Sequence, residues 1–180
     1  MNDRKIALLR GINVGRAKRV AMSDLRVAVE ALGYTDVRTV LNSGNVVFNA
    51  PGVAAEKAAA RIEAALPDAL GVASKVTGLA ADVFATVVAE NPLPGAANDS
   101  PSRLMVVFLA KAADRAKLDG FAGQDWAPDR FGLASRAAYM WCPQGLLVSR
   151  LAEAVARTLG PGATSRNWST VMKLHALACR

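Results

Sequence analysis

Arg10, Gly11, Asn13, Gly15 and Lys18 fall within one short stretch of the chain, Arg10-Gly-Ile-Asn-Val-Gly-Arg-Ala-Lys-Arg19, and what they share is a capacity to hold an anion. Glycines let main-chain N–H groups approach a negatively charged oxygen, arginine and lysine supply countercharge, and a following helix offers the positive end of its dipole. A second polar run, Asn42-Ser-Gly-Asn45, adds Ser43 and Asn45 as hydrogen-bonding groups, and a third, Ser165-Arg-Asn-Trp168, adds Arg166 and Asn167. The chemistry these types suggest is recognition of a phosphate or a similar group. Nothing in them specifies a reaction.

The neighbouring possibilities are narrower. Gly-x-x-x-x-Gly-Lys-[Ser/Thr] and Gly-x-Gly-x-x-Gly are both absent, so neither the Walker nor the dinucleotide mode of nucleotide binding is supported. The acidic residues are scattered singly, and the lone His175 completes no Ser/His/Asp set. Cys142 and Cys179 match no metal-ligand spacing; with one histidine, no metal site is expected, and both thiols are read as reduced and structural. No cofactor is implied. Asn13 has two readings, since it can bridge main-chain groups of its own loop as readily as it can bind a ligand.

Charge agrees with an anionic partner. The net charge is +7, from 22 basic and 15 acidic residues, and seven of the basic residues lie within residues 1–26 against Asp3 and Asp24 alone. A field of that sign at the opening stretch favours phosphates or nucleic acid, although Arg and Lys also serve simply to solvate a surface. An RNA-recognition platform is not expected, because residues 6–9 offer aliphatic side chains and residues 45–49 only Phe48 for stacking. Binding through phosphates by Arg10, Arg16, Lys18, Arg19 and Arg38 needs no rings and stays open.

The elements that must position these residues follow from pattern. Hydrophobic residues are 52% and charged residues 21%, enough for a sizeable core and against disorder. No apolar run approaches the roughly 20 residues of a membrane span, and Met1-Asn-Asp-Arg-Lys5 does not open a signal peptide; a soluble cytoplasmic protein is expected. Residues 5–9 read as a central strand. Ser23 is placed to cap a helix from Asp24, with Gly33 as its stop. Strands at 36–41 and 45–49 flank a tight turn at Ser43-Gly44, a helix follows over 53–69, and then a strand over 72–77. This β-α-β-β-α-β order is that of the split βαβ, or ferredoxin-like, unit.

A helix near 80–90 leads into residues 91–101, dense in turn formers and read as a linker. Beyond it come a strand at 103–109, a helix near 112–118, strands at 130–134 and 137–142, a helix over 149–159 and a final helix over 166–178, with Arg166 and Asn167 at its start. The expectation is an α+β protein of two ferredoxin-like subdomains, a probable duplication: residues 1–80, a connecting segment 81–101, and residues 102–180. Leu8, Leu32, Val47, Leu66, Val107 and Leu174 are expected in the core.

Ala7-Leu-Leu-Arg-Gly-Ile-Asn-Val-Gly15, Met22, Ser43-Gly-Asn-Val-Val-Phe48 and Arg166-Asn-Trp-Ser-Thr-Val171, in that order and separation, resemble the hallmark segments of the bacterial domain-of-unknown-function 1697 family. The resemblance spans nearly the whole chain and implies a duplicated α+β protein of ferredoxin-like subdomains. It implies no activity. Members commonly continue with Gly-Gly after the loop valine, where this chain has Gly15-Arg16.

The first functional expectation is therefore a non-catalytic binder of a phosphate-bearing ligand or nucleic acid, through Arg10, Gly11, Asn13, Gly15, Lys18, Ser43, Asn45, Arg166 and Asn167. An enzyme acting on a phosphorylated small molecule and a structural or oligomer-forming protein are the alternatives, and the sequence leaves the oligomeric state open. In a split βαβ sheet the first and third strands are adjacent and antiparallel, so Arg10, Asn13, Ser43 and Asn45 should meet at one end of the first sheet. Arg166 and Asn167 join them only if the last helix docks its start there.

Overall fold

A computed structural model describes residues 3–16, 19–109 and 111–179. They divide into two compact units: one runs to Ala85 and takes in the chain again from Lys173, and the other is Thr86–Met172.

In the first unit, β1 (Arg4–Leu9), β2 (Thr35–Val40), β3 (Asn45–Asn49) and β4 (Val76–Ala80) form an antiparallel sheet in the order β2-β3-β1-β4. As the sequence suggests, β1 lies beside β3, with Leu8 opposite Asn45 and Lys5 opposite Phe48. Helices α1 (Met22–Glu30) and α2 (Ala55–Leu70) lie against one face. There Ala7, Leu9, Val46 and Phe48 from the sheet meet Leu25 and Val29 from α1 and Ala58, Ile62 and Leu66 from α2. Ile6, Leu8 and Val47, pointing the other way, are equally buried, which is why β1 reads as an unbroken apolar run rather than an alternating one. Gly78 sets the fit of α2. A β-carbon there would sit 2.2 Å from the Ala55 carbonyl oxygen and 2.7 Å from Ala59 Cβ, so only glycine lets the helix rest on β4.

Several boundaries differ from the sequence reading. Helix α1 starts at Met22 with Ala21 at its N-cap and no side-chain cap; Ser23 is already inside the first turn, and its hydroxyl meets the Asp24 carboxylate instead. The strand expected over 72–77 is displaced to Val76–Ala80, because residues 74 and 75 are taken up bonding Arg10. The segment 91–101 carries a short helix, α4 (Pro94–Asp99), after α3 (Ala81–Ala89). Its Pro94 stands at the helix start, where a missing N–H costs nothing.

The second unit has β5 (Leu104–Phe108), β6 (Arg130–Leu133), β7 (Ala137–Trp141) and β8 (Thr164–Asn167) in the order β6-β7-β5-β8, all neighbours antiparallel. A 3₁₀ helix over Ala112–Phe121 replaces the α-helix expected near 112–118. Helix α5 (Arg150–Leu159) is capped by Ser149, whose Oγ accepts from the Ala152 N–H. One core joins Met105, Val107, Ala138 and Met140 to Leu118, Leu151 and Val155. The clearest correction lies at residues 164–167. Ser165, Arg166 and Asn167 do not open a helix; they form edge strand β8, paired with Val107, Val106 and Met105, and α6 (Trp168–Ala178) starts after them. Of the expected core residues, Leu8, Val47, Leu66, Val107 and Leu174 are buried, and Leu32 is half-buried at the rim of the first core.

Candidate functional site

The loop from β1 to α1 is anchored by two buried apolar side chains, Ile12 and Val20, and braced by the Asn13 amide. Ile12 is buried, while Val14 beside it is 69% exposed. Asn13 sits between them with φ at +54°, in the left-handed region, as do Gly11 at +67° and Gly15 at +62°. Asparagine tolerates that conformation better than most residues. Its Nδ2 donates to the Val20 carbonyl at 2.9 Å and to the Asn42 carbonyl at 2.7 Å, and its Oδ1 accepts from the Val20 N–H at 2.8 Å. The side chain therefore ties the far end of its loop and the β2–β3 turn together.

The other polar residues of this unit have similar duties. The Arg10 N–H reaches both the Lys75 carbonyl and Ser74 Oγ, and the Ser74 hydroxyl donates back to the Arg10 carbonyl at 2.8 Å. Asn45 is fully buried; its Nδ2 donates to the Val40 carbonyl at 2.8 Å and to Ser43 Oγ at 3.1 Å, closing the turn. Gly44 is required there. A β-carbon would fall 2.7 Å from Leu9 Cβ and 2.8 Å from Ile12 Cδ1, and its carbonyl accepts from the Leu9 N–H. Arg10, Asn13, Ser43 and Asn45 thus share one end of the first sheet, as the strand pairing implied.

Beside the loop lies an open groove of about 430 Å³ lined by Asn13, Arg19, Val20, Ala21, Met22 and Asn42. Among the described residues its lining holds one cation and no carboxylate. Ala21 and Met22 bring in the start of α1, whose first N–H groups have no side-chain cap. Asp24, in the first turn, offsets part of the helix's positive end. Arg16 and Arg19 are exposed. Lys18, also expected here, lies outside the described residues.

Arg166 and Asn167 belong to the other unit. Arg166 is largely buried on β8, and its guanidinium donates to Thr164 Oγ1 and the Ser165 carbonyl; burial lowers its pKa to about 10, leaving it charged near neutrality. Asn167 caps α6, its Oδ1 accepting from the Thr170 N–H at 2.9 Å. An N–H that sequence reasoning left for an anion is thereby taken by the chain itself. Cys142 is buried with its thiol directed at Ser149 Oγ; burial raises its pKa and the Asp129 charge adds to that, whereas a thiolate nucleophile needs the opposite. Both cysteines are free thiols, and no group of His, Cys, Asp and Glu suited to a metal ion occurs among the described residues. Nor is any helix among them long and apolar enough to cross a membrane.

Sequence reasoning missed Ser74 and gave Asn42 no role. Neither carries a local signal: Ser74 matters because β4 pairs with β1, and Asn42 contributes its main-chain carbonyl.

A model of a protein family of unknown function, DUF1697, matches residues 2–139. No curated protein matches the chain. In structure the chain is similar to the conserved bacterial protein SP0830 from Streptococcus pneumoniae, with a TM-score of 0.78 and 19% identity over 99% of each chain. At that identity the likeness speaks to the fold alone.

Proposed function

The chain belongs to the DUF1697 family of unknown function, and from that premise, which brings no activity with it, we propose that it binds a small phosphate-bearing ligand without transforming it. The site is the groove between the β1–α1 loop and the start of α1. One observation carries the reading: a concave lining with an arginine and no carboxylate opens onto a helix N-terminus that no side chain caps. Free N–H groups and the helix dipole favour an anion there, and Arg19 can add a charge-assisted hydrogen bond. A volume of about 430 Å³ suits a ligand the size of a sugar phosphate or a mononucleotide.

Among the described residues the lining supplies no histidine, cysteine or carboxylate to move a proton, which favours binding over chemistry. In this reading Asn13 and Asn45 are braces that hold the loop open, Gly11 and Gly15 give it its turns, and Arg10 and Arg16 contribute field. Arg166 and Asn167 keep structural duties. A nucleic-acid phosphate shares the chemistry, but one concave site on a single loop fits an isolated phosphate better than a charged track. We further read each unit as a split βαβ fold, the pair arising by duplication; the matching strand orders support this.

The test is calorimetry and thermal shift against inorganic phosphate, a hexose phosphate, a mononucleotide and a duplex oligonucleotide, on the wild-type chain and Arg19→Ala. Saturation at about 100 times the dissociation constant adds about 2.7 kcal/mol of apparent stability. The hexose phosphate or mononucleotide should bind, with at least a tenfold loss in Arg19→Ala. Tight, salt-sensitive retention of the duplex alone, or binding indifferent to Arg19, refutes the assignment.

A further inference from the structure

Nothing above uses a second recess, of about 380 Å³, that lies wholly in the second unit. Its walls include three aromatic rings. Phe121 and Trp126 are stacked with centroids 5.4 Å apart, and Phe121 and Phe131 meet at 5.5 Å. The indole N–H is already spent on the Phe121 carbonyl, so Trp126 offers the recess its ring and no donor.

Among the described residues its lining holds three charged groups, of which two are carboxylates and the third is Arg130. Asp125 and Asp129 line the recess. Asp129 is only 9% exposed, and its one side-chain hydrogen bond is from the Ser149 hydroxyl to Oδ2, at 2.8 Å; no lysine or arginine pairs with it among the described residues. The nearby arginines are occupied elsewhere. Arg130 stands opposite Trp141 in the sheet and holds its guanidinium 5.6 Å from that ring's centre, so strand alternation directs it to the face opposite Phe131. Arg150 donates to the Asp125 main-chain carbonyl at 3.3 Å rather than to either carboxylate. Ser149, as the cap of α5, lends Asp129 part of a helix's positive end, but only through Oδ2.

A carboxylate so far removed from water without a countercharge is costly, and a cation beside it recovers that cost. Aromatic faces attract the same kind of group. We infer that this recess is a binding site for a small organic cation, a protonated amine on a compact apolar body, with Asp129 as its counterion and Phe121, Trp126 and Phe131 as its walls. It is separate from the anion groove and owes nothing to it.

Three probes sharing one ring and differing in charge decide the matter: phenethylammonium, 2-phenylethanol and 3-phenylpropionate. Each is titrated into the ¹⁵N-labelled chain, following the Trp126 indole resonance, assigned through Trp126→Phe. The ammonium should bind at least about tenfold more tightly than the other two, the scale set by one ion pair and a cation–π contact. Asp129→Asn should remove that preference while leaving the alcohol's affinity unchanged, and Arg19→Ala should have no effect. Equal binding of the ammonium and the alcohol, preference for the carboxylate, or no movement of the Trp126 indole up to the probes' solubility would overturn the inference. Should Asp129→Asn lose the folded spectrum, the three-probe comparison on the wild-type chain decides alone.

Discussion

Replacing Gly78 by alanine tests the placement of α2 directly. No left-handed backbone is involved at this position, so the effect is purely steric. The added carbon would lie 2.2 Å from the Ala55 carbonyl oxygen, and ordinary contact begins near 3.4 Å, so α2 must lift off β4 by roughly 1 Å. The helix buries Ala55, Ala58, Ala59, Ile62 and Leu66 on that face, and a gap of that size forfeits between a quarter and a half of each dispersion contact. Overpacking against a backbone atom belongs at the upper end of the usual range, about 3 kcal/mol. The lower chain entropy of alanine in the unfolded state returns about 0.4–1 kcal/mol. The net loss is about 2–3 kcal/mol, a drop in Tm of about 4–12 °C for a chain of this size. Thermal melts followed by far-UV circular dichroism measure it, with Gly71→Ala as the control. Gly71 has φ at +65° and open space around it, so its replacement carries only backbone strain, about 1–2 kcal/mol. A Gly78→Ala protein that melts within about 2 °C of wild type would show that α2 does not rest on β4 at this point.

Other perturbations follow from single side chains. Tyr34 stacks on Phe48 at 4.9 Å but buries a hydroxyl with no partner among the described residues; Tyr34→Phe keeps the stack and should raise Tm by about 2–4 °C, and a fall of that size would mean the hydroxyl is bonded. Asn13→Ala removes the brace from a left-handed position, so amide exchange at Val20 should quicken at least about tenfold while Tm falls only a few degrees; unchanged exchange would refute the brace. Glu63 loses water on partial burial, which raises its pKa, but the Lys75 ammonium and the Val76 N–H together outweigh that and leave it lowered. A carboxylate pKa lower in the folded than in the unfolded state adds stability above the unfolded value and loses it as pH falls through the folded one. Glu63→Gln should therefore destabilise by less than about 1 kcal/mol near neutrality, a gap that closes below the ordinary glutamate range; a gap that persists in acid would exclude the ion pair as its source.

Local chemistry made part of this fold legible. The apolar run at Ile6–Leu9 and the turn at Ser43-Gly44 are short-range signals, and both fell where they were read. Strand β4 was read early because nothing local shows that residues 74 and 75 bond Arg10; Gly78, within the strand, lacks the side chain that would keep a preceding helix from seating on it. Strand β8 was unreadable for a related reason. Thr164-Ser-Arg-Asn167 has no apolar alternation, and its pairing comes from β5, far off in sequence. The polar residues of the candidate site were found by type, but their direction was not. Whether Asn13 faces a ligand or its own loop depends on where Val20 and Asn42 come to lie, and no spacing encodes that. The groove was missed because Val20, Ala21 and Met22 are apolar residues that shape it by position.

The return of the chain to its first unit bears on the order of events during synthesis. From Lys173 onward the residues pack with the N-terminal part: the Arg4 guanidinium donates to the Leu177 carbonyl, and the Cys179 thiol to that of Ala81. These residues follow Thr86–Met172 in the chain, so the part made first waits with a gap until they have been synthesised. Thr86–Met172, made later, holds all its own strands before the first unit is closed. N-terminal portions usually fold first as they emerge. Here the nascent chain inverts that order: once Met172 has emerged, the second unit is complete while the first is still unfinished.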